Sequence, residues 1–560
     1  MLRLAVIVLT VALLAPCARA WAQGDMPEKK LIAVGWDMPN AERLRANLEL
    51  MEARPLQGCS VRFAGPRNAP NMWFSFTPEP YDPEVVAQFL ADLQAVQPQR
   101  LTDRFLLQNA NTGAVDWFDD EGWAVIVEHW RTAARVAREG GLTGIMFDPE
   151  AYTPPYRTFD WTAQPQTDQH TFAEYRAMAR QRGGEMMSAV VAEYPDITIF
   201  SLFMLSGLHT AAERSDPMAA LAGNSYGLLA SLLDGWLDMA PPTVTLVDGC
   251  EHAYRFNSRV EYLAAGNTIR NTCQRLISPE NRAKYRAQTQ VSFGVYLDAY
   301  VNPPDSSWYI DPGEQTIAER LAENLACALE VADEYVWLYG EQASWWPNPI
   351  SDQVRWPEKF PGIEEALWMA MDPRGYALRL LEQEGADATN LLTNGDFAGE
   401  AAAAPDDGTQ PDDWQQGVAP PPWGFWQSGS TSDGDPGWDR TVGHNGPGSG
   451  TLTRIGNGCL IQRIDAQPGE RYLVTAWRRV QGQGAASAAV RWQTPEGTWH
   501  AEPMDRSLSG PATGGDWQQF VGLVTVPEDA GKLVVLLSAA GQRTEEDVIW
   551  WDDAAVFRVE

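Results

Sequence analysis

Gly144-Ile145-Met146-Phe147-Asp148-Pro149-Glu150-Ala151-Tyr152 reads as a short apolar strand that runs into two acids. Side chains alternate along an extended chain, so Ile145 and Phe147 share one face and Met146, Asp148 and Glu150 the other. Asp148 and Glu150 then have Cα atoms roughly 6.5–7 Å apart. Two acids that close raise each other's pKa, which is how a protein keeps one of them protonated near neutral pH as a general acid. The bland alternative for the same residues is a loop acid that caps the next helix.

Working outward, apolar strands alternate with helical stretches from about residue 31 to 381. The strands are predicted at Leu31–Trp36, Ser60–Ala64, Arg104–Asn109, Thr143–Phe147, Ile197–Leu205, Thr243–Val247, Val291–Leu297 and Tyr335–Tyr339. Helices are predicted between them, at Ala41–Ala53, Pro83–Val96, Trp123–Glu139, Phe172–Glu193, Ser225–Asp238 and Thr316–Ala332. Met72–Phe76 reads as a further hairpin in the second loop. Eight such units imply an α/β fold, a closed (β/α)8 TIM-like barrel. Sites in such barrels lie at the C-terminal strand ends. Those ends carry Trp36 and Asp37, Asn109 and Asn111, Asp148 and Glu150, Asp248 and Glu251, Tyr296 and Asp298, and Glu341.

This first domain resembles the barrel glycoside hydrolases. Within them, the chitinase-type family carries an acidic DxxDxDxE run on its fourth strand. Asp148 and Glu150 match its last two acids, and Gly144 and Tyr152 fit their surroundings, whereas Thr143 and Met146 stand where its first two aspartates would be. The resemblance implies that Glu150 is the general acid and that Asp148 tunes it or orients a reacting group. A second carboxylate must then act as nucleophile or base across the sugar, with separations of about 5–5.5 Å for retention and roughly 6.5–9.5 Å for inversion. Glu341 is the first candidate, in Val336-Trp337-Leu338-Tyr339-Gly340-Glu341, followed by Asp298, then Asp248 and Glu251. Trp36, Asp37, Asn109, Tyr152, Asp248, Glu251, Tyr296, Trp337 and Trp345 are the substrate-binding candidates, and Trp117 and Trp346 are further sugar platforms. His252 is read as a polar loop residue.

Composition changes near Glu382–Thr389, and an all-β module follows, so the domains are expected at 23–385 and 386–560. Its strands are predicted at Leu460–Ile464, Tyr472–Arg478, Ala488–Gln493, Gln518–Val526, Leu533–Ser538 and Trp550–Arg558, spaced as in a sandwich, with a disordered loop at Ala401–Gln410. The module resembles the jelly-roll carbohydrate-binding modules of secreted cellulases and xylanases. The carrying residues are Asn390-Leu391-Leu392-Thr393-Asn394-Gly395-Asp396-Phe397, Pro468-Gly469-Glu470-Arg471-Tyr472, Trp517-Gln518-Gln519-Phe520 and Trp550-Trp551-Asp552-Asp553-Ala554-Ala555-Val556. The resemblance implies a structural calcium ion, with Asp396 and Asp552 as its ligands. Trp423, Trp426 and Trp438 are expected in exposed loops.

Arg3, the apolar run Leu4–Ala15 and a small-x-small site ending at Ala20 or Ala22 read as a signal peptide over residues 1–22, so the protein is expected to be secreted or periplasmic. No later run is long and apolar enough for stable membrane insertion. A net charge of −32 argues against a nucleic-acid partner and says little about a neutral carbohydrate. Five cysteines follow the leader, and Cys250 with Cys273 is the expected disulfide. No zinc-type cluster and no Gly-rich phosphate loop follows a strand, so no cofactor beyond calcium is expected. The expectation is a secreted glycoside hydrolase. The alternatives are a non-catalytic glycan-binding protein on an inactive barrel, or a lyase or esterase. A lyase for uronates would want a basic cleft, and an esterase a nucleophile elbow, which the chain is read as lacking. Sugar identity, linkage and oligomeric state are left open.

Overall fold

The computed structural model describes residues 28–63, 74–111, 115–150, 152, 157–313, 315–347, 353–384, 388–398, 419–429, 434–500 and 505–559. The expected signal peptide, Met72 and Trp73 of the expected hairpin, and the expected loop at 401–410 lie outside the described residues.

Nine parallel strands form one sheet: β1 (Lys30–Ala33), β2 (Gly58–Val61), β3 (Asp103–Asn109), β4 (Gly144–Asp148), β5 (Thr198–Ser201), β6 (Thr245–Asp248), β7 (Thr289–Val291), β8 (Phe293–Tyr296) and β9 (Tyr335–Tyr339). Their order is β7-β6-β5-β4-β3-β2-β1-β9-β8. The two edge strands, β7 and β8, are consecutive in the chain and separated by Ser292 alone. Ser292 donates its N–H to the Asp248 carbonyl, so one bent segment pairs with β6 through its first half and with β9 through its second. The sheet is thus a nearly closed parallel barrel. The sequence reading took this segment as a single strand. It also ran the fifth strand on to Leu205, where the chain instead turns into a short 3-10 helix at Leu205–Leu208.

The quoted stretch folds as its alternation predicts. Phe147 leaves the barrel and packs against Trp130 and Trp236, with ring centroids 5.1 and 5.8 Å away. Those rings come from the helices Asp120–Glu139 and Leu229–Met239. Asp148, on the alternate face, is turned away from that packing. Gly144 opens the strand because nothing larger fits. A Cβ there would stand 1.8 Å from the Thr198 carbonyl oxygen on β5. The helix Phe172–Glu193 begins with a capping box between Thr171 and Glu174, which satisfies N–H groups that the first turn leaves free.

The C-terminal part forms two antiparallel five-stranded sheets. One is ordered β10-β13-β18-β15-β16 and the other β11-β12-β19-β14-β17. The strands are β10 (Gly424–Gln427), β11 (Asp435–Asp439), β12 (Ser449–Thr453), β13 (Asn457–Asp465), β14 (Arg471–Gln481), β15 (Ala485–Gln493), β16 (Arg506–Ser507), β17 (Gln518–Thr525), β18 (Lys532–Ala540) and β19 (Val548–Val559). The six long predicted strands are all present. The four missed ones are short and interrupted by Gly, Pro or polar residues, which hides a period of two. A separate core fills the space between these sheets. Trp423, expected in an exposed loop, is buried in that core and stacks on Phe397. Trp426 lies in β10 and Trp438 in β11, both half-buried. A third apolar cluster joins the two parts, where Ala377 of the helix Pro373–Glu384 meets Leu473, Val521 and Val559.

All five described cysteines are free thiols. Cys250 and Cys273 do not form the expected bridge. Cys273 donates to the Leu205 carbonyl at 3.4 Å, and Cys250 lies 3.6 Å from the His252 ring nitrogens.

Replacing Gly144 by Ala is expected to cost about 3 kcal/mol, the upper end for overpacking, because backbone on β5 cannot give way as a flexible side chain could. Thermal melting of Gly144→Ala against the parent checks this, and an unchanged Tm would contradict it.

Candidate functional site

Strand register builds the site. Asn109 and Asp148 are direct partners at the ends of β3 and β4. Asn109 Nδ2 donates to Asp148 Oδ2 at 2.7 Å, and the Glu150 N–H donates to Asp148 Oδ1 at 2.9 Å. The Tyr152 hydroxyl lies 2.6 Å from Glu150 Oε2 and 3.2 Å from Asp148 Oδ2, bridging the two acids. Asp148 is buried. Burial first, and the nearby Glu150 charge second, push its pKa up to about 7, against the pull of these three donors.

Above these strand ends lies a cavity of about 920 Å³. Asp148, Glu150, Glu251 and Glu341 all line it. In the sheet order β9 lies four steps from β4, by way of β3, β2 and β1. Glu341, two residues past β9, therefore faces Glu150 across the barrel mouth. Burial raises the pKa of Glu341, and Asp298 adds to it. Glu251 follows β6 and is pushed well above the carboxylate range by burial, then by Glu150, Asp148 and Glu341. Three acids around one cavity thus hold protons more tightly than acids in water. Tyr254, Tyr296 and Tyr339 form a ring cluster on the β8–β9 side, with centroids 5.1 to 6.0 Å apart.

The other sequence candidates are placed differently. Asp298 is fully buried, and its two oxygens accept from the N–H groups of Glu341 and Gln342 at 2.7 and 2.9 Å. It holds the loop that carries Glu341 and does not line the cavity. Asp248 is likewise buried and accepts from the N–H groups of Met204, Ser206 and Cys250, shaping the loop after β5. Asp37 is paired in fork geometry with Arg43. Asn109 sits beneath Asp148 and is fully buried. Trp117, Trp337, Trp345 and Trp346 are core residues. Trp337 donates to the Gly249 carbonyl at 2.8 Å. Trp36, Tyr152 and Tyr296 line the cavity. His252 also lines it, stacked on His209, and burial holds its pKa down to about 4, so it is neutral.

Sequence reasoning missed Tyr226, Tyr254, Trp308 and Tyr339 in the lining. Only the last could have been found from its place at a strand end. Gly223-Asn224-Ser225-Tyr226-Gly227 does have the GxSxG spacing, which corrects the reading above. It links the helices Pro217–Ala222 and Leu229–Met239, and a nucleophile elbow needs a strand before it.

In the C-terminal part, Asp552 accepts from the N–H groups of His444 and Asp553 at 2.6 and 2.7 Å, while Asp396 is exposed and accepts from Ala398. The two carboxylates are engaged separately. Among the described residues, no three His, Cys, Asp or Glu side chains gather as a metal site. No helix there is long and apolar enough to cross a membrane.

No protein-family model and no curated protein matches the chain. Solved structures match parts of it. The enzymatically active domain of bacteriophage CBA120 tailspike protein 4 is 14% identical, over 30% of this chain and 21% of its own, with a TM-score of 0.22. The CBM22-1–GH10 modules of Clostridium thermocellum endo-1,4-β-D-xylanase 10B, complexed with xylohexaose, are 11% identical over 22% and 25%, with a TM-score of 0.19. TmCBM61, in complex with β-1,4-galactotriose, is 16% identical over 31% of this chain and 100% of its own, with a TM-score of 0.20. This chain thus spans a quarter or less of the first two.

Asp148 generates a pH prediction. Its carboxyl stays protonated in the folded state up to about pH 7, whereas an unfolded Asp ionises near pH 3.9. Between those values the folded state binds the extra proton, so this residue makes stability fall as pH rises. Asp148→Asn removes the effect. The Tm of the variant relative to the parent is expected to climb from about pH 4 to about pH 7. A constant difference in calorimetric scans would contradict it.

Proposed function

We propose that the protein is a secreted glycoside hydrolase acting on a poly- or oligosaccharide. In this reading β7 and β8 are one strand bent at Ser292, the barrel is of the (β/α)8 kind, and the C-terminal sheets are a jelly-roll module. The observation that carries the reading is the convergence of Asp148, Glu150, Glu251 and Glu341 on one aromatic-lined cavity at the C-terminal strand ends. Hydrolysis of a glycosidic bond needs one acid that is protonated and another that is ionised across the sugar.

Glu150 is assigned the proton donor. Its side chain reaches the cavity while its backbone N–H and the Tyr152 hydroxyl tie it to Asp148. Asp148, buried beneath, is the positioning acid. Its charge state sets the field at Glu150. Glu341 is assigned the nucleophile or base because it faces Glu150 across the mouth; the Tyr296 and Tyr339 hydroxyls against it offset part of the rise in its pKa that burial and Asp298 cause. Glu251, whose pKa is pushed well above the carboxylate range by burial first and by its acidic neighbours second, is assigned a hydrogen bond to a sugar hydroxyl. Aromatic faces suit the apolar faces of sugar rings, and an acidic lining suits a neutral substrate over a uronate. In this reading Arg3 and the apolar run Leu4–Ala15 are an export signal, and the substrate is an extracellular or periplasmic polymer.

The test is reducing-end release from a panel of neutral polysaccharides. Glu150→Gln is expected to lower kcat by about 100- to 10,000-fold, the range for a general acid, and Glu341→Gln by a similar factor. Glu251→Gln is expected to change KM more than kcat. Equal release by the parent and Glu150→Gln would remove Glu150 as the acid. Absence of release by the parent would favour a glycan-binding protein.

A further inference from the structure

The protein has 24 tryptophans. Among the described residues only two are exposed, Trp36 at 65% and Trp308 at 39%, the rest being buried or half-buried. Both line the same cavity. A fold that buries large rings so consistently loses roughly 25 cal/mol for every Å² of apolar surface it leaves in water. Two exceptions at one cavity mark a surface kept open for a ligand.

Both rings are held in place. The Arg255 guanidinium stacks on Trp308 at 4.0 Å, and Tyr296 meets Trp308 edge-on at 5.7 Å. The Trp36 side chain lies beside the Tyr339 hydroxyl. A ring fixed before binding loses little rotational freedom when a ligand stacks on it. Sheet order places them. Trp36 follows β1 and Trp308 follows β8, and β9 runs between those two strands. Trp36 lies beside Tyr339 and Trp308 against Tyr296, and Glu341, just past the end of β9, hydrogen-bonds both tyrosine hydroxyls, so it stands between the two tryptophans. Strands two steps apart are about 10 Å apart, more than one sugar ring spans.

We propose that Trp36 and Trp308 are two sugar platforms on either side of Glu341, and that the ligand is a neutral oligosaccharide longer than a disaccharide. The proposal rests on the glycosidase reading and adds its substrate class. Stacking on either ring contributes binding only when the chain is long enough to reach it. A disaccharide at the acids reaches one platform at most.

The test is calorimetric titration of the full-length chain carrying Glu150→Gln, which binds without turnover. The probes are xylo-, cello-, manno- and β-1,4-galacto-oligosaccharides from disaccharide to hexasaccharide, with oligogalacturonides as the acidic comparison. Trp36→Ala and Trp308→Ala, each added to that parent, are expected to weaken hexasaccharide binding about tenfold or more. Their effect on a disaccharide is expected to be smaller. Trp308→Phe, which keeps a ring face, should recover part of the loss. Binding by the C-terminal sheets is common to all these proteins and cancels in the comparison. Unchanged hexasaccharide affinity in both Ala variants would overturn the proposal. So would equal losses for short and long chains, tighter binding of the acidic oligomers, or no binding of any probe by the parent. Ring-dependent binding without any hydrolysis by the unmutated chain would support the platforms while removing the catalytic reading.

Discussion

A carboxyl group withdrawn from water at the end of β4 sets the terms for the whole cavity. Asp148 is held by an amide, a hydroxyl and a backbone N–H, yet burial outweighs them and its proton is retained to about pH 7. Glu251, on the same cavity, feels both the low polarity of the barrel mouth and the other charges. Glu251 and Glu341 are raised for the same two reasons. A set of acids that titrate unequally in a shared space is what acid–base chemistry at neutral pH requires.

The supporting structure works through acids that never reach the cavity. Asp248 and Asp298 spend both oxygens on backbone N–H groups of loops that follow β5 and β9. These are buried carboxylates with raised pKa values, and their hydrogen bonds offset part of the cost of removing charge from water. Their work is to aim neighbours. Asp298 in particular holds the N–H of Glu341 itself, so a second acid controls where the cavity acid stands without touching a ligand.

The tryptophan content has two explanations that the three-dimensional arrangement separates. Most of the rings are packing. Trp130 and Trp236 clamp Phe147 against the helices, and Trp551 and Trp492 fill the space between the C-terminal sheets. Among the described residues, only Trp36 and Trp308 are left exposed at the cavity. The link between the two halves is also apolar, with Ala377 seated on Leu473, Val521 and Val559, and it is reinforced where Thr525 donates to Glu319 at 2.7 Å.

Local pattern alone determined the alternation of strands and helices, the face shared by Asp148 and Glu150, and the long strands of the C-terminal sheets. Each of these depends on residues close in the chain, through a period of two in strands and the apolar stripe of helices. What only the tertiary structure decided was which of the many acids at strand ends meet. Asp37, Asp248 and Asp298 look no different from Glu341 along the chain, because a carboxylate is caught by whichever donor the fold brings within 3 Å. For those three the donor is Arg43 or a loop N–H, and for Glu150, Glu251 and Glu341 the barrel mouth leaves an open cavity. The same reason hid Trp308 and Tyr254. Their exposure and stacking come from loops after different strands, and no spacing in one segment records a meeting between several.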